Sequence, residues 1–71
     1  MRVLVVEDDP QLSAWLKTTL SDALGHADVV DNLDEALAAV SVQPFDLVVL
    51  DRRLPDGDGI TLISRLAQLR P

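Results

Sequence analysis

Glu7, Asp8 and Asp9 follow directly on the apolar stretch Val3–Val6, and Asp51 follows directly on a second one, Leu47–Leu50. Carboxylates crowded on one rim repel one another, so at least one should hold its proton more tightly than usual. A bound divalent cation would relieve that repulsion. A donor set made only of oxygen, with no Cys in the chain and no His nearby, selects a hard ion such as Mg²⁺. A carboxylate beside such an ion can attack phosphorus and become an aspartyl phosphate. Asp51, Glu7 and Asp8 are the candidate residues for such a site; the plainer reading leaves Glu7 and Asp8 as solvated surface acids. Asp9 precedes Pro10, and its plainer role is to cap a helix.

This chemistry requires that two distant parts of the chain meet. Val3–Val6 is an unbroken β-branched and Leu run, as expected of a strand buried on both faces. Behind Pro10, Leu12, Leu16, Leu20 and Leu24 recur every fourth residue. Trp15 and Ala23 are expected to widen that stripe, and Gly25 to end the helix. Ala27–Val30 reads as a second strand. Asn32 with Glu35 three residues on resembles a capping box, opening a helix with Leu33, Ala36, Leu37 and Val40 on its apolar side. Asp46–Leu50 is the third strand. Arg52–Gly59 reads as a loop, with Asp58 capping a last helix that carries Ile60, Leu62, Ile63, Leu66 and Leu69 and ends at Pro71.

The order βαβαβα implies a parallel sheet with helical crossovers. Such sheets bind ligands beyond the carboxyl ends of their strands, where strand order reverses. Both acidic features fall at such ends. If the first and third strands are neighbours, Glu7, Asp8 and Asp51 share one pocket.

Composition narrows the function classes. The chain has 71 residues and is 48% hydrophobic with one Trp, one Phe and no Tyr, so its core must be aliphatic. A net charge of −6 leaves no basic surface to displace counterions from nucleic acid. The lack of Cys excludes disulfides and thiolate metal sites. Neither a signal peptide nor an apolar run of membrane length is present, which points to the cytoplasm and away from a membrane.

VLVVEDDP at 3–10 and FDLVVLDRRLPDGDGI at 45–60 resemble the receiver domain of bacterial two-component response regulators. The nearest likeness is to the subfamily with a winged-helix DNA-binding output. The resemblance covers the whole chain, including Asp31–Leu37. It implies a flavodoxin-like doubly wound α/β fold, here with strand order 2-1-3. It implies phosphorylation of Asp51 by a sensor histidine kinase, and a phosphorelay role without enzymatic turnover. It implies that Asp8 and Asp51 ligate Mg²⁺ directly, Glu7 through water, and Arg53 through its backbone carbonyl. Leu54-Pro55 and Gly59 match the loop that shapes the family's pocket.

Some positions depart from the pattern. Arg52 stands where the family has an apolar residue; it reads either as a stem laid on apolar surface with its head in water or as a solvated loop arginine. Arg53 borders the pocket. The family's fourth strand ends in a hydroxyl residue and its fifth carries a Lys; Lys17 and Thr61 lie in helices and take neither role. Residues 1–71 therefore read as a partial receiver domain without the fourth and fifth βα units. DNA would be reached only through an output domain absent here. The third strand should then have a bare apolar edge, which invites self-association.

Other readings fit less well. Asp56-Gly57-Asp58-Gly59 resembles the nucleophile motif of haloacid-dehalogenase-like phosphatases, but Arg52–Pro55 separates it from the strand end. A calcium loop would need Leu54 and Arg65 as ligands. A dinucleotide site lacks its Gly-rich turn. His26 reads as a surface residue. The remaining alternative is a receiver-like interaction module that no longer accepts phosphate.

Overall fold

The structure is a computed structural model that describes residues 1–69. Its elements are β1 (Arg2–Val6), α1 (Pro10–Leu24), β2 (His26–Val30), α2 (Leu33–Val42), β3 (Leu47–Leu50), β4 (Arg53–Leu54), β5 (Gly57–Asp58) and α3 (Ile60–Leu69). The three longer strands form a parallel sheet in the order β2-β1-β3. The α/β fold with strand order 2-1-3 is thus the observed one. Pro71 and the side chain of Leu69 lie outside the described residues.

β1 is central, and Val3, Leu4, Val5 and Val6 are completely buried. Alternate residues point to opposite faces. Val3 and Val5 pack with Ala27 against Leu16, Leu20 and Leu24 of α1. Leu4 and Val6 pack with Leu33, Ala36, Leu54 and Leu62 on the other face, beneath α2 and α3. One strand therefore supplies both cores, which is why its sequence shows no alternation.

Two helix starts follow the local signals. Asp9 caps α1, its Oδ1 accepting from the N–H groups of Gln11 at 2.9 Å and Leu12 at 3.2 Å, with Pro10 first in the helix. Gly25 ends α1 with φ of 107°, a conformation that a Cβ disfavours. Asn32 caps α2 by accepting from the Glu35 N–H at 2.8 Å. The reciprocal half of a capping box is absent among the described hydrogen bonds. The two preceding donors of α2, Leu33 and Asp34, are instead held by Asp56.

The structure corrects three further expectations. Trp15 is 62% exposed, and Leu12 and Ala23 are exposed as well. At about 100° per residue, Leu12 lies roughly 120° round the helix from Leu24 and Trp15 roughly 140° from Leu20, so the stripe winds off the sheet. On α3, Leu62 is buried and Leu66 packs beside it, while Ile60 and Ile63 face outward. The segment Arg52–Gly59 is not a plain loop. It folds into an antiparallel hairpin, Arg53 opposite Asp58 and Leu54 opposite Gly57, with Leu54 in the core.

Candidate functional site

Backbone pairing carries the acids to one end of the sheet. The Glu7 N–H donates to the Val30 carbonyl at 3.0 Å, extending the β1–β2 ladder by one residue. The Asp51 N–H donates to the Val6 carbonyl at 2.9 Å, extending the β1–β3 ladder likewise. Because parallel strands in register end together, Glu7, Asp8 and Asp51 converge. One carboxylate oxygen from each lies within 4.8 Å of the others. Glu7 is buried, Asp51 half-buried and Asp8 exposed.

The electrostatic consequence falls on Glu7. Its pKa is raised, first by burial and then by the neighbouring Asp51 and Asp8 charges, against the opposing hydrogen bond from the Asp9 N–H. That bond, at 3.1 Å to Oε1, fixes the side chain. Like charges in a partly dry corner are the situation a cation relieves. All-oxygen donors and close spacing fit a hard divalent ion.

The hairpin following Asp51 is tied down at several points. The Arg53 N–H donates to Asp51 Oδ1 at 3.1 Å, orienting that carboxylate. The Gly59 N–H donates to the Arg52 carbonyl at 2.7 Å, closing the base of the hairpin. A Cβ on Gly59 would meet the Asp51 carbonyl oxygen at 2.3 Å, so only glycine permits this approach. Of its two readings, Arg52 takes the solvated one. Its side chain is 71% exposed and its Nε reaches Asp58 Oδ2 at 3.3 Å, because the hairpin turns both residues outward. The Arg53 side chain, on β4 of the hairpin, is exposed.

The other acids have structural employment. Asp58 accepts from the Ile60 N–H at 3.0 Å at the start of α3, as its capping reading required. That bond, aided by Arg52, lowers its pKa. Asp56 is lowered too, chiefly by the N–H groups of Leu33 and then Asp34. Sequence reasoning placed Asp56 only in a turn; its partners are 22 and 23 residues away, a distance no local pattern spans. His26 is exposed and bonds Asp28 at 3.0 Å.

This fold and this acid-bearing sheet end define a class, the receivers of two-component signalling, and comparison with known proteins agrees. Residues 3–71 match the response regulator receiver domain family, and the chain belongs to it. It is 40% identical over 70 residues to the transcriptional regulatory protein TcrA of Mycobacterium tuberculosis, covering 99% of this chain and 28% of TcrA. Among solved structures it is similar to the non-phosphorylated HemR receiver domain from Leptospira biflexa, with 38% identity and a TM-score of 0.89 over 97% of this chain and 56% of that one. It is also similar to a chain of the crystal structure of histidine kinase ThkA in complex with response regulator protein TrrA. That match has 31% identity and a TM-score of 0.87 over 94% of this chain and 58% of the other. The chain thus spans well under a third of TcrA's length and little more than half of the solved chains. Among the described residues, no helix is long and apolar enough to cross a membrane.

Proposed function

We propose that this chain is the phosphate-accepting part of a response regulator, and that Asp51 is the acceptor. One observation carries the proposal: Glu7, Asp8 and Asp51, from two adjacent parallel strands, place carboxylate oxygens within 4.8 Å of one another at the ligand-binding end of the sheet. Asp8 and Asp51 would hold Mg²⁺ directly, Glu7 through water, and Arg53 through its main-chain carbonyl. When bound, the ion neutralises charge on the transferring phosphoryl group. Asp51 supplies the nucleophilic oxygen. Its other partner, the Arg53 N–H, keeps the carboxylate oriented. Glu7, held by Asp9, keeps the corner acidic so that a cation is favoured there.

The donor is proposed to be the phosphohistidine of a sensor histidine kinase. The similarity to a chain from a kinase–regulator complex supports that partnership. Likeness to TcrA supports transcriptional control as the output of the whole protein, exerted through a domain beyond these residues. The cytoplasm is the compartment proposed on the same grounds. A second proposal concerns assembly. Among the described residues β3 pairs with β1 alone, and Leu47 and Val48 at its start line an open cleft of about 400 Å³ with Val40, Phe45 and Leu66 and the polar Gln43 and Asp46. Self-association through the other edge of β3 is the proposed consequence.

The acceptor is tested by incubating the protein with acetyl phosphate and Mg²⁺ and measuring intact mass. One added phosphoryl group, lost in Asp51→Ala and lost on chelation of the metal, is expected. No adduct, or one that survives Asp51→Ala, overturns the assignment and favours a receiver-like interaction module.

A further inference from the structure

Helix α2 begins with three N–H groups that no helical carbonyl can serve, those of Leu33, Asp34 and Glu35. Its own cap, Asn32, satisfies the third alone. The first two are taken by the two oxygens of one carboxylate, Asp56, at 2.8 Å from Leu33 and 3.0 Å from Asp34. Asp56 belongs to the hairpin that follows the phosphate-accepting strand. It sits at the turn between β4 and β5, two residues beyond the core residue Leu54. Around it the fit is close: a Cβ on Gly57 would meet Leu33 Cδ1 at 3.1 Å.

We infer that Asp56 is a positioning residue for the acidic site, clamping the tip of the β4–β5 hairpin to the amino end of α2 and so setting where Arg53 runs past Asp51. This rests on the reading of Glu7, Asp8, Asp51 and Arg53 as the metal-binding set. The hairpin has two anchors. At its base, Arg53 bonds the Asp51 carboxylate and Gly59 bonds the Arg52 carbonyl. At its tip, the anchor is Asp56. A carboxylate suits the place, because the helix amino end carries partial positive charge and two parallel donors. Released at its tip, the hairpin would pivot about its base, and the Arg53 carbonyl would lose its fixed position relative to Asp51. Small losses of ligand placement weaken metal binding strongly. The clamp also joins the site to the end of β2, since only Asp31 and Asn32 separate Leu33 from that strand.

The test compares Asp56→Ala with Asn32→Ala, which removes a cap from the same helix turn without touching the hairpin. In metal-free protein, amide exchange followed by NMR should quicken at Leu33, Asp34, Arg53 and Leu54 in Asp56→Ala. In Asn32→Ala it should quicken at Glu35 and leave Arg53 and Leu54 as in the parent. A Mg²⁺ titration read at the Arg53 amide should show affinity weakened by about 10-fold in Asp56→Ala, unchanged in Asn32→Ala, and partly recovered in Asp56→Glu. Should Asp56→Ala not fold, Asp56→Asn, which keeps the shape and one acceptor oxygen, is read in the same way. Parent-like exchange at Arg53 and Leu54 in the Asp56 variant, or equal weakening of Mg²⁺ by both variants, overturns the clamp. If the parent itself does not respond to Mg²⁺, the metal assignment fails and the metal-free exchange alone decides the clamp.

Discussion

At the scale of single residues, Glu7, Asp56 and Asp58 show how environment divides chemically similar acids. Asp56 and Asp58 face N–H donors and titrate below the ordinary range. Glu7 is buried beside two like charges and titrates above it. A raised carboxyl pKa means that the folded state binds the proton more tightly than the unfolded chain does. Glu7's contribution to stability is therefore fully present below the unfolded value of 4.5 and is lost as pH rises through the folded value. Mg²⁺ favours the charged form and should reverse the shift. Carboxyl-carbon NMR over a pH series checks this: the Glu7 midpoint should lie above 4.5 without metal and move down when Mg²⁺ is added. A midpoint indifferent to Mg²⁺ would remove Glu7 from the metal site.

At the scale of elements, the adjacent acids Asp8 and Asp9 have different fates because α1 begins directly after Asp9. Asp9 has extended backbone angles, φ −75° and ψ 115°, and its Oδ1 faces two N–H groups of α1. Its carboxylate is thereby committed to the helix. Asp9→Ala should lower unfolding stability by about 1 kcal/mol in denaturant titration. The acetyl phosphate adduct on Asp51 should form as before. Loss of the adduct in a folded Asp9→Ala protein would make Asp9 part of the phosphorylation chemistry. As packing surfaces α1 and α3 behave alike: each lays Leu side chains on the sheet and turns another large apolar residue, Trp15 or Ile63, to solvent.

At the scale of the whole molecule, burial is uneven. β1 is sealed on both faces, whereas Leu47 at the start of β3 is 40% exposed. Among the described residues β3 pairs with β1 alone, and the self-association proposed through its other edge can be tested directly. Sedimentation velocity over a concentration series should show a growing fraction of larger species. Leu47→Lys, which places a charge on that edge, should return the protein to a monomer. A concentration-independent monomer with the natural Leu47 would refute association through β3.

Much of this protein was legible in its residue order because the signals are local. The uninterrupted Val3–Val6 and Leu47–Leu50 runs announce strands, the first of them covered on both faces. Asp9-Pro10 and Gly25 punctuate α1, and the order of elements implies parallel pairing. Acids directly behind two such strands then point to a shared site, whereas the raised pKa of Glu7 comes first from its burial and only then from the neighbouring Asp51 and Asp8 charges. Tertiary structure decided what depends on distance in the chain. The in-register ends of β1 and β3 bring Asp51 to Glu7 and Asp8. The winding of the Leu stripe left Trp15 in solvent. Asn32 and Glu35 suggested a self-contained cap, but Asp56 completes it from more than twenty residues away. A helix end accepts any correctly placed oxygen, and which oxygen arrives is a property of the folded hairpin.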